Sequence, residues 1–272
     1  MTLHEPAPLH TSLLRIAGVD ALRFAHAQFT SHVSSLAVGA WQWSAWLDAR
    51  GRVQQLFHLL RIDEHTLLLA LRGGDAGAMA SQLQRFVFRD KVTLEALPSR
   101  SLQAGAALPA GSVQSVDDAL HLGFGDRRLC LLPTEASHDT TWRRQAIANG
   151  EPWLPDAVIG TLLPPALSLR RLGALSLDKG CFPGQEIAAR LHYRGGHKQV
   201  LLHVQLAAPC VPGDRVSLDA GAPEASDDAS LRVLDCIGRD ALVLAHERTQ
   251  MRLESEAATH DDAPHIVRAF GA

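Results

Sequence analysis

Between Trp41 and Leu71 the chain is almost continuously apolar or aromatic, broken only by Asp48-Ala49-Arg50-Gly51 and by Asp63-Glu64-His65. Both breaks suit chain reversal, because Gly and Asp tolerate turn geometry. Three runs of strand length joined by two tight turns predict a three-stranded meander. Trp41, Trp43, Ala45 and Leu47 are spaced by two, so they should share one face of it. Packing in the core is the default role of the two indoles, ahead of stacking on a ligand.

Helical signals flank this meander. Ser12 to Ala17 reads as a strand ending at Gly18, with Asp20 suited to cap a helix by accepting a backbone N–H. In that helix Ala25, Phe29 and Val33 recur every fourth residue and form a buried face ending near Ser34 or Ser35. Gly73 to Gly77 fits neither a dinucleotide nor a Walker phosphate loop, so it reads as a strand-to-helix turn. Met79, Leu83, Phe86 and Val87 then supply an apolar stripe, and Lys91 to Leu97 a returning strand.

The middle repeats the theme, with strands around Gln114 and from Leu129 to Leu132, and a helix from about Ser137 to Asn149 stopped by Gly150. After Gly196 short β-favouring runs (200–206, 215–218, 231–237 and 241–245) suggest a small barrel. Asp219 to Ser230, rich in Ala, Gly, Asp and Ser, reads as a mobile surface loop.

Composition excludes several classes. A net charge of -3 over 272 residues argues against direct, stable binding of nucleic acid through many phosphates. Arg143-Arg144 and Arg170-Arg171 read as solvated surface pairs. No apolar run approaches the roughly 20 residues that span a bilayer, and the first ten residues do not resemble a signal peptide, which together point to a cytoplasmic protein without a membrane partner. The four cysteines, Cys130, Cys181, Cys210 and Cys236, lie far apart in sequence, so neither a structural metal site nor a disulfide framework is expected. The fourteen histidines are scattered.

Chemistry concentrates in Leu177 to Lys198, LDKGCFPGQEIAARLHYRGGHK. Gly180, Pro183 and Gly184 predict a tight turn, and Gln185 to Tyr193 a helix, which sets Cys181 near a helix start. A helix N-terminus and nearby cations such as Lys179 or Arg190 favour the thiolate, the nucleophilic and metal-binding form. A small buried apolar cysteine is the competing reading. Cys130 and Cys236 fit buried strands, and Cys210, between Pro209 and Pro212, fits a loop. Glu186 and Arg190 are spaced for an ion pair on one helix face. His192 and His197 flank the helix end, where a polar side chain in water is a simpler reading than a metal ligand.

The run Lys179-Gly180-Cys181-Phe182-Pro183-Gly184-Gln185-Glu186 followed by Arg190 closely resembles the K-G-C-[FY]-x-G-Q-E-x-x-x-R signature of the YgfZ family. Phe24 to Leu36 resembles that family's F-L-Q-G-Q-L-T-x-D-V region, with Ala25, His26 and His32 as departures. Leu47 to Val53 resembles its L-D-x-K-G-R-V hairpin. The resemblance implies an α+β glycine cleavage T-protein-like fold: two mixed α/β, ferredoxin-like units around a central cavity, residues 1–98 and 99–198, and a C-terminal β-barrel, residues 199–272. It implies a folate-binding accessory protein, using tetrahydrofolate or a derivative, that supports assembly or repair of iron-sulfur cluster proteins, including those that methylthiolate transfer RNA.

In that reading Cys181 is the functional thiol, with Lys179 and Arg190 favouring its thiolate and with transient contact to an iron-sulfur cluster. Gly180, Gly184, Gln185, Glu186 and Tyr193 are the expected folate-side residues, no resident metal is expected, and the partners are folate and iron-sulfur client or assembly proteins. The alternatives are a tetrahydrofolate-dependent aminomethyltransferase and a non-catalytic folate sensor. Against the transferase, the T-protein's D-F-I-G-[RK]-E is replaced here by Cys181 to Glu186, and its G-x-x-x-D-D-like run by Gly51 to Leu56, which lacks a carboxylate.

Overall fold

The structure, a computed structural model, describes residues 9–134, 140–218, 229–256 and 264–271. The expected helix start at Ser137 and nearly all of the loop expected from Asp219 to Ser230 lie outside the described residues.

The meander forms as expected: β2 (Ala40–Leu47), β3 (Val53–Arg61) and β4 (Thr66–Leu71) pair in order. They belong to an eight-stranded antiparallel sheet with β1 (His10–Ala17), β5 (Thr93–Gly105), β6 (Val113–Val116), β7 (Ala119–Gly123) and β8 (Arg128–Leu132), in the order β2-β3-β4-β1-β5-β8-β7-β6. The 13-residue β5 joins the two halves. It pairs with β1 up to Ser101 and with β8 from Ser101 onward, so the boundary expected between 98 and 99 lies inside one strand.

The half of the sheet made by β1 to β4 is buried on both faces. Phe57 and Leu59 of β3 pack with α1 (Ala21–Gln28) and α2 (Ala76–Leu83), whereas Leu56 and Leu60 face the other cluster. Trp41, Trp43, Ala45 and Leu47 share that second cluster, as their spacing by two requires. Each large apolar side chain so buried contributes roughly 1.5–3 kcal/mol. The second cluster also holds Trp142 of α3 (Thr141–Ala148) and Leu201, Leu234 and Leu242 from the C-terminal part, so it spans most of the chain.

Residues 151–182 cross the sheet with no long regular element. Leu154 N–H donates to Arg72 O at 2.8 Å, Val53 N–H to Leu162 O at 2.8 Å and Ser176 N–H to Thr30 O at 2.9 Å, which tethers the strap's backbone at three points without a strand of its own. After α4 (Gln185–Arg194) come β9 (Gln199–Gln205), β10 (Arg215–Ser217), β11 (Ser230–Ile237), β12 (Asp240–His246), α5 (Glu247–Glu256) and β13 (His265–Phe270). The five strands form an antiparallel sheet in the order β10-β11-β12-β9-β13, irregular in register at Val233/Asp235 and at Ile266/Arg268, where a sheet bends.

Several local expectations are corrected. The Asp20 side chain does not cap α1; its carboxylate accepts the Lys91 N–H at 2.8 Å, fastening the helix start to the chain entering β5. The α-helix ends at Gln28 rather than near Ser35, although Ala25, Phe29 and Val33 are all fully buried. Phe86 is exposed because the chain leaves α2 through a single 3-10 turn that rotates it off the stripe. Arg143 is not solvated surface: it is 4 % exposed and paired with Asp235.

Candidate functional site

The segment around Cys181 is held by its neighbours on both sides. Lys179 is 7 % exposed, and its ammonium donates to the carbonyl oxygens of His26 and Phe29, at the C-terminal end of α1. Burial pulls its pKa down to about 8. Phe182 is also buried, with its ring centroid 5.0 Å from the Lys179 nitrogen, within cation–π range. Cys181 lies between these two anchors and is exposed, so the buried-cysteine alternative does not hold for it. Cys130 and Cys236 are buried, as expected.

Gly184 makes the turn into α4 with φ of 75°, in the left-handed region. A β-carbon there would meet Asp48 O at 2.5 Å and Gly51 Cα at 2.8 Å, and one on Gly51 would meet the Ile187 Cβ at 2.8 Å. Two motifs remote in sequence, the β2–β3 hairpin and the cysteine turn, therefore touch through a pair of glycines with no side chain between them. Gln185 Nε2 donates back to Lys179 O at 3.5 Å, bracing the turn across its base.

The other expected residues divide by position. Gly180 and Glu186 are exposed beside the thiol, with open space around Gly180. Arg190 and Tyr193 lie farther along α4 and face solvent, Tyr193 being 74 % exposed with its ring 4.7 Å from that of His192. The ion pair that the Glu186 and Arg190 spacing permits is not among those formed by the described residues. His192 contacts Arg170 instead of turning towards Cys181. Behind α4, a cavity of about 330 Å³ is lined by Pro164, Leu175, Ala188, Leu191, His197 and Val200. Among the described residues, no group of three or more His, Cys, Asp or Glu is placed to hold a metal ion.

A second polar centre went unread in the sequence. Arg72, at the end of β4, is 2 % exposed, and its guanidinium lies 5.7, 5.6 and 5.0 Å from the rings of Trp43, Trp142 and Trp153. It donates to Pro152 O at 3.1 Å and to Glu151 O at 2.9 Å, and burial lowers its pKa to about 10. His58 is 2 % exposed with its ring 4.1 Å from that of Trp43, and its Nε2 has no hydrogen-bond partner. Burial holds its pKa well below the ordinary value of 6.5. The Arg143 Nε donates to Asp235 Oδ1 at 2.6 Å, tying α3 to β11 next to this cluster. Only the aromatic residues at spacing two, Trp41 and Trp43, hinted at it. Arg72 follows an apolar strand and carries no motif, and its indole partners come from three separate segments.

This arrangement is that of the glycine cleavage T-protein fold. The crystal structure of glycine cleavage system aminomethyltransferase T from Bartonella henselae superposes with a TM-score of 0.61, at 17% identity, over 87% of this chain and 76% of that one. Within that fold, the resemblance to YgfZ read from the motifs extends over most of the chain. Proteins named tRNA-modifying protein YgfZ are similar to it: that of Klebsiella pneumoniae (strain 342) is 27% identical over 266 residues, covering 86% of this chain and 78% of that protein. The Edwardsiella ictaluri protein is 26% identical over 269 residues and the Sodalis glossinidius protein 27% over 268, each covering 86% of this chain and 77% of its own length. No family model matches the chain. No helix among the described residues is long and apolar enough to cross a membrane.

Proposed function

We propose that this protein is a folate-binding accessory factor that supports assembly or repair of iron-sulfur cluster proteins, transfer-RNA methylthiolating enzymes among them, through the thiol of Cys181. The observation that carries this reading is the exposure of Cys181 between two buried anchors, Lys179 and Phe182, on a turn locked to the β2–β3 hairpin. A sulfur held out on a rigid corner can meet a partner protein or its cluster without the entropy loss of ordering a loop. Gly184 and Gln185 keep the corner's shape. Lys179 fixes the base of the turn through the His26 and Phe29 carbonyls, and Arg190 adds positive charge on the α4 surface that follows it.

The polar and aromatic groups around Arg72 form, in this reading, the chemical centre beside which folate binds. Indole faces suit a planar pterin, the orphaned Nε2 of His58 seeks a polar partner, and a guanidinium suits a carboxylate. In this reading Gly180, Gly184, Gln185, Glu186 and Tyr193, on the cysteine turn and α4, are the folate-side residues, and Trp43, Trp142, Trp153, His58 and Arg72 add aromatic and polar groups on the sheet side. Bound folate would supply a one-carbon carrier; the protein's own part is to bind it and exclude water. The transferase alternative is weakened by Gln54 and Gln55, neutral amides in the run where the T-protein carries aspartates.

The test is complementation. Cys181→Ala should fold, retain tetrahydrofolate binding by tryptophan fluorescence, and fail to restore iron-sulfur enzyme activity and transfer-RNA methylthiolation in cells lacking the protein. Full restoration by that variant would exclude the thiol role. Turnover of a methylene donor with tetrahydrofolate would instead establish the transferase.

A further inference from the structure

Cys210, in the loop between β9 and β10, and Cys236, on β11, are 26 residues apart in sequence but adjacent in space, and the Cys236 thiol donates to the Cys210 carbonyl oxygen at 2.9 Å. Both thiols are free. The segment carrying Cys210 is fixed before any bond between them forms. Gly213 N–H donates to Val233 O and Val233 N–H to Asp214 O, both at 2.9 Å, and Val211 N–H donates to Asp214 Oδ2 at 3.0 Å. Cys236 is 3 % exposed within the apolar cluster of the sheet, and Cys210 packs against that cluster with part of its surface open to solvent. The Cys236 sulfur thus lies against the backbone of Cys210, the close approach of the two residues that a disulfide requires.

We propose that Cys210 and Cys236 form a second thiol centre, distinct from Cys181, that closes reversibly to a disulfide in exchange with a low-molecular-weight disulfide of the glutathione class.

The exchange balances in two steps. The Cys210 thiolate attacks one sulfur of glutathione disulfide; that S–S bond breaks, and one glutathione leaves as thiolate to take up a proton. The Cys236 thiol gives its proton to solvent and attacks the Cys210 sulfur of the mixed disulfide, and the second glutathione departs. Two protein thiols are oxidised, and one glutathione disulfide is reduced to two thiols. The two cysteines differ in the way this order needs. The neighbouring Cys236 side chain pulls Cys210 below the ordinary thiol value, while the Cys210 side chain and burial push Cys236 up. The half-open, more acidic thiol attacks and the buried one resolves.

The bond would close one residue from the contact between sheet and core. Cys236 N–H donates to Asp235 Oδ1 at 2.9 Å, the same oxygen that accepts from Arg143 of α3. Redox state at the C-terminal sheet is thus set beside the ion pair that adjoins Trp142 and the Arg72 cluster.

The test uses the full-length native protein, equilibrated in buffers of stepped reduced-to-oxidised glutathione ratio, quenched in acid, alkylated and peptide-mapped. The expected result is a species lighter by two hydrogen atoms with Cys210 cross-linked to Cys236, lost again when the buffer is made reducing. The cross-link should persist in Cys181→Ser and vanish in Cys210→Ser, and Cys236→Ser should instead accumulate glutathione on Cys210. The proposal is overturned if Cys210 and Cys236 stay alkylatable in the native protein at every ratio, or if their cross-link appears only after denaturation.

Discussion

A β-carbon on Gly184 would have to share space with the carbonyl oxygen of Asp48, 2.5 Å away, while the backbone kept a φ of 75°. Left-handed backbone alone costs a non-glycine residue about 1–2 kcal/mol, and the collision adds to it. Gly184→Ala should therefore lower the urea midpoint by an amount equivalent to at least about 2 kcal/mol, or push the cysteine turn off the hairpin and raise the alkylation rate of Cys181. A second residue-scale expectation concerns His58, which burial keeps neutral in the folded state while its unfolded counterpart titrates near 6.5. Below that pH the unfolded chain binds a proton that the native protein refuses, so stability falls as pH falls, with a slope reaching about 1.4 kcal/mol per unit for one proton. Denaturant titrations from pH 7 to 5 should show a shallower decline in His58→Phe than in the unmodified protein; identical slopes would remove His58 from the account.

At the scale of elements, the C-terminal end of α1 is closed by a residue from a remote part of the chain. Helix ends leave carbonyls without partners, and a cation is favoured there. Lys179 fills that role for His26 and Phe29, so the thiol turn and the first helix are one mechanical unit. Lys179→Met should cost about 1–3 kcal/mol by orphaning those carbonyls, and hydrogen exchange should quicken in residues 26–33. Local pattern found most elements, because the strands of both sheets carry strong β-favouring runs and clear turns. It missed β7, a short strand between the two read in the middle of the chain, α5, whose sequence ERTQMRLESE is polar apart from Met251 and Leu253, and β13, whose pairing with β9 depends on a distant partner. It misassigned Asp20 because Lys91, the residue that captures its carboxylate, is 71 positions away.

Across the whole molecule, the Arg143–Asp235 pair joins α3 to the C-terminal sheet at 5 % and 1 % side-chain exposure. Removing one member strands a buried charge, at about 3–5 kcal/mol, whereas replacing both with apolar groups of similar size can be neutral. Arg143→Met alone should accordingly destabilise far more than Arg143→Met with Asp235→Leu, as read by chemical denaturation; equal losses would mean the pair does not bridge the two parts. By itself the sequence determined the meander, the strand-rich C-terminal part and the glycine-flanked Cys181, because periodicity, turn chemistry and a contiguous motif are local properties. Only the tertiary structure decided that Gly51 meets Gly184, that Arg72 lies among three indoles, and that Cys210 reaches Cys236. Those contacts follow from chain crossings over a shared sheet, and no spacing along the chain records which segments a crossing brings together.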